Sequence, residues 1–404
     1  MTRILMLGGA GQMGQAAARV LAHAPAVRRL VVTDLRASTA ETVAKSLGDK
    51  VSGLGLDITD QRALRSALDE CDLVLNTVGP YFRFGVPILA AAIEAGRDYI
   101  DICDDWEPTL AMLEMHERAR AAGVVALVGM GASPGVSNLL AVTAARELDT
   151  VDSLVTAWSG DDTGDAGAPA GQQPNAAYLH AIQQITGTIK VTRDGVLTDR
   201  PALEQISLDY PGIGAGSGWS FGHPEAVTLH RAFPELRSNT NLITGGRALI
   251  TMCRALRLSV DRRLLSPERA ARLAHRASGL LPAGAIGAGA LPPLFALATG
   301  TRAGEKATCA SALAQIPGRS MAVNTGVPLA VAALQRASTA AAPGVHTPET
   351  LLDPDAYFAA LAPHCIGNPA PATMVATTRS WCSAAENTAS LQSSLLTAFF
   401  ADSD

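Results

Sequence analysis

The sequence predicts an α/β protein built around a doubly wound parallel sheet. Three features of its N-terminal third support this class: short apolar runs alternate with amphipathic runs, a glycine-rich turn follows the first apolar run, and Asp34 ends the second. Alternation of this kind is typical of strands joined by helical crossovers. Because strands of such a sheet are covered on both faces, each is expected to be short and uniformly apolar.

The predicted elements follow one another along the chain. Strands are expected at residues 3–7, 29–33, 51–56, 73–76, 99–102 and 124–128. Helices are expected at residues 12–22, 39–47, 61–68, 86–95 and 108–122. After residue 131 the alternation ends, and the expected strands are 153–158, 188–192, 205–208 and 307–314, with helical stretches at 242–281, 327–341 and 353–361. The polar residues 159–174 between them are interpreted either as a mobile loop over a site or as a surface excursion.

Length and composition exclude several classes of function. With 404 residues, of which 48% are hydrophobic, the chain can fill more than one core. A net charge of −5 provides no positive field for nucleic acid or an anionic membrane, so the expected partner is a small molecule. Six cysteines without a CxxC pair indicate neither a disulfide framework nor a zinc site, and they fit a reducing cytoplasm. No spacing of histidine and acidic residues predicts a metal site.

Two segments bear on membrane targeting. The N-terminal apolar run is too short for a secretory signal, so we expect a cytoplasmic protein. Residues 279–300 are uncharged and about long enough to cross a bilayer, between Arg276 and Arg302. Prolines and glycines within this segment argue against a continuous helix, so a buried lid or a subunit interface is expected there instead of a membrane span.

The first glycine-rich turn, GGAGQMG at residues 8–14, contains the pattern GxGxxG. We interpret Gly9 as permitting the tight turn, Gly11 as letting the backbone approach a pyrophosphate, and Gly14 as letting the next helix pack on the strand. The helix that starts at Gln12 and Met13 offers N–H groups and a positive dipole end to phosphates. Since a strand precedes the turn and an acidic residue follows about twenty positions later, a Rossmann-type dinucleotide site is expected.

Residues after the second and third strands are expected to bind the adenosine end of this cofactor. Asp34 would accept hydrogen bonds from the ribose hydroxyls and repel a 2′-phosphate, which favours NAD. Arg36 would pair with such a phosphate if its side chain turned inward, so NADP stays open. Asp57 and Ile58 would border the adenine, although an N-cap for the helix at residue 61 explains Asp57 nearly as well.

The sequence VGPYFRFG, residues 78–85, follows the fourth strand at the sheet edge where ligands bind in open α/β domains. The residues expected to bring backbone close to the cofactor are Val78, Gly79 and Pro80. Tyr81 and Arg83 are interpreted as site residues that point toward the nicotinamide end or the substrate. Phe82 and Phe84 are interpreted as packing residues.

The fifth strand ends in three carboxylates within DICDDW, residues 101–106. Asp104 and Asp105 would hold an ammonium group or donate a proton, since clustered carboxylates raise one another's pKa. One of the two is also expected to cap the following helix. Cys103 is a less attractive nucleophile because no histidine is near it in the sequence.

A second glycine-rich turn, GMGASPGVSN at residues 129–138, runs into a helix expected at residues 136–147. This turn would present backbone N–H groups to a carboxylate. Ser133 and Asn138 are the expected side-chain ligands.

Four blocks in order, GGAGQMG, GPYFRFG, YIDICDD and GMGASPGVSN, resemble the saccharopine dehydrogenase-like oxidoreductases, specifically the branch of lysine 6-dehydrogenase and saccharopine reductase. GHPE at residues 222–225 and TGVPLA at residues 325–330 resemble later landmarks of the family, so the resemblance covers most of the chain. The first block is generic to dinucleotide folds, whereas the other five in order are fairly specific. The trans-acting enoyl reductases of the same superfamily usually carry a GATGFTG-like first turn and a D-S-I-P-like second block, which this chain lacks.

The resemblance implies a Rossmann domain with an inserted α+β domain for substrate binding and dimerisation, and C-terminal helices that return to the Rossmann domain. The expected boundaries are residues 1–130, 131–322 and 323–404. The alanine-rich C-terminal half fits a homodimer interface or a buried core equally well.

Hydride transfer to or from a C–N bond needs one group that donates or accepts a proton and polar groups that bind a substrate carboxylate. The candidates for the proton are Asp104, Asp105, Tyr81 and His223. A histidine titrates nearest neutral pH, although a structural role explains His223 equally well.

Arginine or backbone must bind the substrate carboxylate, because the chain has only four lysines. Arg83, Arg231 and Arg247 are the candidates. His180 is a further pocket candidate, with a place on an amphipathic helix as the alternative explanation.

The sequence therefore predicts an enzyme that moves hydride between NAD(P) and the C–N bond of an amino or imino acid or of a metabolite derived from one. Two other classes stay open. One is a membrane-associated reductase of lipid-like substrates, which residues 279–300 motivate. The other is a non-catalytic nucleotide-binding protein.

Overall fold

The computed structural model describes residues 1–160, 176–278 and 291–400, and it divides into two compact units. The first unit comprises Met1–Val136 and Pro317–Asn368, and the second comprises Ser137–Ile316 and Pro369–Asp404. Each unit has its own sheet.

Strands and helices alternate through the N-terminal part of the first unit. They are β1 (Thr2–Leu7), α1 (Gln12–His23), β2 (Val27–Asp34), α2 (Ala37–Leu47), β3 (Val51–Gly55), α3 (Gln61–Asp69), β4 (Leu73–Asn76), α4 (Tyr81–Glu94), β5 (Asp98–Asp101), α5 (Trp106–Leu113), α6 (His116–Ala121) and β6 (Val125–Leu127). The middle of the chain contains α7 (Val136–Ala145), β7 (Thr150–Ser159), α8 (Ala176–Ile185), β8 (Thr188–Arg193), β9 (Val196–Pro201), β10 (Gln205–Tyr210), β11 (Gly214–Ser220), α9 (Glu225–Ala232), β12 (Ser238–Thr244), α10 (Arg247–Asp261), α11 (Pro267–Ser278), β13 (Leu294–Arg302) and β14 (Glu305–Leu313). The C-terminal part contains α12 (Met321–Ser338), β15 (Gly344–His346), α13 (Pro348–Leu351), α14 (Pro354–Leu361), β16 (Val375–Arg379) and α15 (Ala384–Phe400).

The described residues of the first unit form a parallel sheet with the strand order β15-β6-β5-β4-β1-β2-β3. Its six N-terminal strands follow the order 3-2-1-4-5-6 of doubly wound dinucleotide-binding domains, so the predicted fold class is confirmed. The apolar strands β1 and β4 lie at the centre and are almost completely buried. Helices on both faces therefore cover them, as their uninterrupted apolar sequences predicted.

Helix α12 returns from the C-terminal part of the chain to pack on α1 in the first unit. Gly326 makes this approach possible, because a Cβ there would lie 2.8 Å from Ala16 Cβ and would collide with the Met13 carbonyl. The strand after α12, β15, then extends the sheet next to β6. This is the return of C-terminal helices that the family resemblance implies.

The second unit is α+β, as predicted. Its sheet has the order β10-β11-β12-β7-β13-β14-β16, and the β8–β9 hairpin joins at β12. The β12–β7 pair is parallel, whereas the neighbouring pairs along this path are antiparallel. Helices α8, α10 and α11 contribute to an apolar core with Phe221 and Ile243 of this unit.

The end of the chain differs from the predicted boundary at residues 323–404. Only Pro317–Asn368 belongs to the first unit, and the chain from Pro369 belongs to the second. The reason is strand pairing: β16 lies antiparallel to β14, with Leu313 opposite Val375 and Cys309 opposite Arg379. A pairing partner so distant in sequence leaves no local pattern in the final segment.

Two predicted helices have different limits. Helix α4 begins at Tyr81, directly after Pro80, and includes Pro87, whereas the predicted helix began at residue 86. The predicted helix at residues 108–122 is divided into α5 and α6.

The candidate membrane segment at residues 279–300 is only partly described. Residues 279–290 lie outside the described ranges, as do residues 161–174 of the polar stretch. From Leu294 the segment is strand β13, which pairs on both sides with β7 and β14. Within the described part of the chain, no helix combines the length and apolarity that crossing a membrane requires.

Candidate functional site

Predicted cofactor residues gather at the carboxyl edge of the first sheet, where β1 and β4 are neighbours. This is the switch point at which doubly wound sheets bind their ligands. The amide and the hydroxyl of Thr77 both donate hydrogen bonds to the Leu7 carbonyl, each at 2.9 Å. These bonds fasten the segment after β4 alongside the glycine-rich turn after β1.

Different glycines of the turn meet different steric requirements. Gly8 has φ +69°, so Gly8 adopts the left-handed conformation that was expected of Gly9. A Cβ on Gly9 would lie 2.9 Å from Met6 Cγ and 3.0 Å from Val32 Cγ1. Gly9 is therefore needed because the turn lies directly on the sheet.

Gly14 and Gly11 have opposite surroundings. A Cβ on Gly14 would lie 2.6 Å from the Gly9 Cα, so Gly14 lets α1 pack against the turn, whereas the prediction was that it packs on the strand. A Cβ on Gly11 would approach only the Gly8 carbonyl, at 3.2 Å. The turn is thus open on the side of Gly11, where a ligand's phosphates can approach the backbone.

The N-terminus of α1 suits an anion. Gly11 is the N-cap, no side chain caps the helix, and its first turn contains no acidic residue. The Gln15 side chain braces the turn by donating to the Ala10 carbonyl at 2.7 Å. The first N–H groups of the helix, from Gln12 and Met13, and the helix dipole suit the pyrophosphate of a dinucleotide.

Asp34 ends β2, and its carboxylate accepts a hydrogen bond from the Arg36 amide at 2.9 Å. The Arg36 side chain is 78% exposed, and its Nε lies 4.0 Å from the same carboxylate. An acidic group and an exposed basic group therefore occupy the end of β2, where doubly wound domains bind the ribose of a dinucleotide.

Asp57 does not cap the helix at residue 61, which corrects one of the two interpretations of this residue. Asp60 caps α3 and accepts hydrogen bonds from the Arg62 and Ala63 amides. Asp57 instead accepts bonds from the hydroxyl and amide of Thr59, at 2.7 and 2.9 Å, and these lower the pKa of its carboxyl group. Asp57 is exposed and the neighbouring Ile58 is half-buried, so an adenine-bordering role stays a prediction.

The interpretation of the YFRF segment is wrong for one aromatic residue. Tyr81 is 3% exposed, and its hydroxyl donates to the Asn76 carbonyl at 2.8 Å, whereas Phe82 is 47% exposed. Burial raises the pKa of Tyr81 well above its ordinary value. Because α4 starts at Tyr81, the phase of the helix decides which side chains face the core, so Tyr81 faces it and Phe82 is nearly half exposed. Tyr81 has the contacts of a residue that positions the loop.

The other residues of this segment lie near the switch point or at the surface. Val78 Cγ2 lies beside Gly8, where a Cβ on that glycine would be 3.0 Å away. Gly79 and Pro80, joined by a cis peptide bond, are half-buried at the start of α4. The exposed Arg83 stacks its guanidinium on the Phe84 ring at 4.8 Å.

A buried polar network, which the sequence interpretation missed, connects the ends of β4, β5 and β6. The Asn76 side-chain amide donates to the Tyr99 hydroxyl, and that hydroxyl donates to the Asp101 carboxylate, both at 2.9 Å. The other Asp101 oxygen accepts from the amides of Cys103 and Gly129, at 3.0 and 2.7 Å. Polar residues that end buried apolar strands were the available indication of this network.

Asp104 and Asp105 follow the network in the same unit. Asp105 is 7% exposed and occupies the N-cap position of α5, but its side chain forms no capping hydrogen bond. Asp104 is half-buried. Cys103 was predicted to be a less attractive nucleophile. Its surroundings agree, because complete burial raises the pKa of its thiol well above the ordinary value.

The second glycine-rich turn closes on itself. The Gly131 amide donates to the Pro134 carbonyl at 2.8 Å, and the Val136 amide donates to the Gly131 carbonyl at 3.0 Å. Gly135 has φ +120°, and a Cβ there would collide with the Gly131 backbone. The turn holds Ser133 half-buried at its tip.

In the second unit, the structure brings together the two sequence blocks that contain Asn138 and His223. Both residues are buried, at 0% and 4% exposure. The Asn138 side chain donates to the Thr228 hydroxyl at 3.2 Å, and His223 Nδ1 lies 3.3 Å from the Glu225 carboxylate. Ser137 Oγ donates to the other oxygen of Glu225 at 2.7 Å. Ser137 and Glu225 were not singled out from the sequence.

The two remaining predicted substrate residues have different surroundings. His180 is 4% exposed on α8, whose Gln184 carbonyl accepts a hydrogen bond from the Gly222 amide. Arg231 is exposed in the last turn of α9. Arg247, the third arginine considered, is also exposed.

Known proteins resemble this chain in both sequence and fold. Residues 4–127 match the saccharopine dehydrogenase NADP-binding domain family. The N-terminal part of the chain is thus similar to the NADP-binding domain of the saccharopine dehydrogenases. The resemblance inferred from its sequence blocks is thereby confirmed.

Two relatives are similar to longer or shorter parts of the chain. It is 25% identical over 266 residues to carboxyaminopropylagmatine dehydrogenase of Synechocystis sp., an alignment that covers 62% of this chain and 65% of the relative. It is 26% identical over 142 residues to the trans-acting enoyl reductase of Mycobacterium tuberculosis, covering 34% of each chain. The alignments thus span less than two thirds of these relatives' own lengths.

One solved structure shows the same fold. Apo saccharopine dehydrogenase (L-Glu forming) from Saccharomyces cerevisiae superposes with a TM-score of 0.56 at 17% identity. The superposition covers 86% of this chain and 94% of the yeast chain. The common architecture therefore includes most of both chains.

Proposed function

We propose that this protein is an NAD(P)-dependent dehydrogenase or reductase that acts on the C–N bond of an amino or imino acid, or of a metabolite derived from one. The observation that carries the proposal is the switch point of the first unit. There, the open side of Gly11, the uncapped start of α1 and Asp34 at the end of β2 match the phosphates and ribose of a dinucleotide.

The C–N bond is favoured over other hydride acceptors by the Synechocystis relative. Its name describes a dehydrogenase of a substrate with amino and carboxyl groups, and its alignment is longer than the matched NADP-binding domain. The nicotinamide ring, when bound, would supply or accept the hydride. The chain's own residues would then bind the substrate and donate or accept one proton.

We assign the transfer of this proton to His223, Asp104 or Asp105. His223 is favoured among them, because a histidine changes its charge nearest neutral pH and this one is paired with Glu225. The buried Tyr81 hydroxyl is bonded to the Asn76 carbonyl, so we assign it to positioning the loop after β4.

Binding of the substrate is assigned to residues that the sequence predicted for this role. Ser133, Asn138 and His180 are the candidates with buried or half-buried side chains. Arg83 and Arg231 are exposed cations that would pair with a substrate carboxylate. No metal takes part in this proposal.

The choice between NAD and NADP depends on two neighbouring side chains. The Asp34 carboxylate favours the free ribose hydroxyls of NAD, whereas Arg36 provides a charge for a 2′-phosphate. The name of the matched family adds weight to NADP. We therefore propose that the site accepts NAD and that Arg36 lets it accept NADP as well.

The proposal is tested by binding and turnover together. NADH and NADPH would each be titrated by fluorescence, and reduction would be followed at the nicotinamide absorbance with lysine, agmatine or glutamate paired with a short aldehyde or a 2-oxo acid. We expect binding of at least one cofactor and turnover that depends on both amine and carbonyl. Cofactor binding without turnover of any C–N substrate would favour a non-catalytic nucleotide-binding protein.

A second candidate is a reductase of lipid-like substrates, which the similarity to the mycobacterial trans-acting enoyl reductase favours. That alignment covers 34% of this chain, compared with 62% for the dehydrogenase, so we rank it second. Oxidation of NADPH by an α,β-unsaturated acyl thioester, without any amine, would reverse the order.

Two further properties stay predictions. A cytoplasmic location fits the cysteines, none of which forms a disulfide in the described part of the chain. A homodimer is predicted from the alanine-rich C-terminal half and is checked by light scattering of the purified protein.

A further inference from the structure

His223 and Glu225 form a buried pair in the second unit. His223 Nδ1 lies 3.3 Å from Glu225 Oε2, and the two side chains are 5% and 0% exposed. The other carboxylate oxygen, Glu225 Oε1, accepts a hydrogen bond from Ser137 Oγ at 2.7 Å. The three side chains thus form a row in which a hydroxyl orients a carboxylate and the carboxylate faces an imidazole.

The fold stabilises a carboxylate at this buried position. Glu225 is the first residue of α9, where the helix dipole favours negative charge. The Asn239 side chain donates to the carbonyls of Glu225 and Ala226, at 2.8 and 3.1 Å, which fixes the backbone that carries the carboxylate. These contacts offset part of the cost of burying a charged group.

Neighbouring groups fix the plane of the imidazole ring. Trp158 stacks on His223 with ring centroids 6.1 Å apart and an interplanar angle of 29°. The Phe221 ring lies 5.2 Å away at 58°. The Gly222 amide donates to the Gln184 carbonyl at 3.0 Å, which ties the backbone before His223 to α8. Rotation of the ring is therefore restricted on several sides.

We propose that Glu225 is a positioning residue that sets the tautomer of His223. In the neutral ring, the carboxylate oxygen 3.3 Å from Nδ1 favours a proton on that nitrogen, which leaves Nε2 as the basic nitrogen. This inference rests on the proposed function: in amine oxidation, Nε2 takes a proton from the substrate ammonium. The lone pair freed on nitrogen would allow the C=N bond to form, and a bound oxidised nicotinamide would supply the acceptor for the hydride that the adjacent carbon loses. In reduction each movement is reversed.

The hydrogen bond from Ser137 predicts how the side chain of a Glu225→Gln variant would be oriented. Because the Ser137 hydroxyl donates to the Oε1 position, Glu225→Gln would keep its carbonyl oxygen there and place its NH₂ group next to His223 Nδ1. A donor at that position requires Nδ1 to be an acceptor, so the proton moves to Nε2. The substitution preserves side-chain volume and removes a buried charge, so the fold is expected to persist.

The first experiment is two-bond ¹H–¹⁵N NMR of the full chain labelled with ¹⁵N-histidine, without any ligand. Loss of its signals in His223→Gln identifies the residue among the eight histidines. We expect the Nδ1–H pattern in the wild type and the Nε2–H pattern in Glu225→Gln. The matched control is Glu204→Gln, whose partner is Arg200 at 2.7 Å, and it should leave the pattern unchanged. An unchanged tautomer in a folded Glu225→Gln variant would overturn the proposal.

Ser137→Ala is the second variant, in case Glu225→Gln does not fold. It removes the hydrogen bond that orients the carboxylate and leaves the carboxylate in place. We expect a mixture of the two tautomers. A pure Nδ1–H pattern in this variant would contradict the role of Ser137 in the row.

The second experiment is a double-mutant cycle on kcat with the amine and carbonyl pair that turns over in the screen. His223→Gln and Glu225→Gln should each lower kcat, by on the order of 10²-fold, and the double variant should be no slower than His223→Gln alone. Multiplying effects would show that Glu225 acts independently of His223. If no C–N substrate turns over, the proposed function fails, whereas the tautomer measurement still decides the positioning role.

Discussion

The Asp101 carboxylate and the Gly129 amide are joined by a 2.7 Å hydrogen bond that connects the end of β5 to the turn after β6. The same carboxylate accepts the Tyr99 hydroxyl at 2.9 Å, and the Asp101 carbonyl accepts the Met130 amide at 2.7 Å. All of these groups are buried. Hydrogen bonds to one ionisable residue, Asp101, therefore connect the loops at the carboxyl edge of this sheet.

The first prediction concerns the titration of Asp101. Burial raises the pKa of this carboxyl group from its ordinary 3.8 to about 6. The folded state thus holds the proton more tightly than the unfolded state, so the contribution of Asp101 to stability is complete below about pH 4 and is lost as the pH rises through about 6. A pKa raised from 3.8 to about 6 corresponds to a loss of about 3 kcal/mol.

Asp101→Asn should remove this pH dependence. It should also cost about 1–3 kcal/mol at every pH, because the new amide is a poor acceptor for the Tyr99 hydroxyl. Urea unfolding between about pH 4 and pH 7 measures both effects. Asp72→Asn is the control, because Arg3 lowers the pKa of Asp72 and its contribution therefore changes with pH in the opposite direction. Parallel curves for wild type and Asp101→Asn would contradict the prediction.

The buried network also shows where sequence interpretation ends. Asn76 and Asp101 could be recognised as polar residues that end apolar strands, but which groups they bind depends on the neighbouring strands. Asn76 lies opposite Asp101 in the β4–β5 register, and Tyr99 is two residues before Asp101 on β5. That register cannot be predicted from a single sequence, because it depends on which strands are neighbours in the sheet.

The second prediction separates stability from cofactor binding at the glycine turn. Gly14→Ala places a methyl group 2.6 Å from the Gly9 Cα, so the turn must move, and we expect a loss of about 1–3 kcal/mol in the free energy of unfolding. Gly11→Ala meets only the Gly8 carbonyl at 3.2 Å and has an extended backbone that alanine accepts. Its stability should change by less than about 0.5 kcal/mol.

Gly11→Ala should nevertheless weaken NAD(P)H binding by about tenfold or more, which is about 1.4 kcal/mol, because its methyl group points to the open side of the turn. Fluorescence titration and thermal unfolding of the two variants give the comparison. An unchanged cofactor affinity in Gly11→Ala would show that the cofactor phosphates do not bind next to Gly11.

Local and non-local features account for these outcomes. The turn, the position of Asp34 and the alternation of strands and helices were predictable because backbone conformation and apolar periodicity depend on neighbouring residues. The burial of Tyr81 and the exposure of Phe82 were not, because they depend on where α4 begins. A start five residues earlier than predicted changes which side of the helix each aromatic residue occupies.

The third prediction concerns the preference between the two cofactors. Asp34→Ala removes the charge that would repel a 2′-phosphate, so the ratio of NADPH to NADH affinity should rise by about tenfold. Arg36→Ala removes an exposed cation 4.0 Å from that carboxylate, so the same ratio should fall. Titration of each variant with both cofactors measures the ratio. Arg28→Ala, which changes an exposed arginine at the other end of β2, is the control. Equal ratios in all variants would show that neither residue contacts the ribose.

The last prediction concerns the C-terminal strand, whose membership in the second unit the sequence did not indicate. Arg379 on β16 forms a bidentate pair with Glu147, which follows α7, at 2.6 and 3.0 Å. Both side chains are about one third exposed, and the hydrogen bonds from Arg379 lower the pKa of Glu147. The pair's contribution is therefore present above the ordinary pKa of a glutamate and is lost as the pH falls below it.

A double-mutant cycle of Glu147→Gln and Arg379→Met measures this contribution by urea unfolding. We expect a coupling free energy of about 1 kcal/mol near pH 7 that decreases toward zero below about pH 4, because bidentate geometry strengthens an otherwise weak partly exposed pair. The exposed pair Glu117 and Arg120 on α6 is the control and should couple by less. If the two couplings are equal, then β16 is held by its strand pairing with β14 and by its apolar contacts, and the ion pair adds nothing specific to the C-terminal segment.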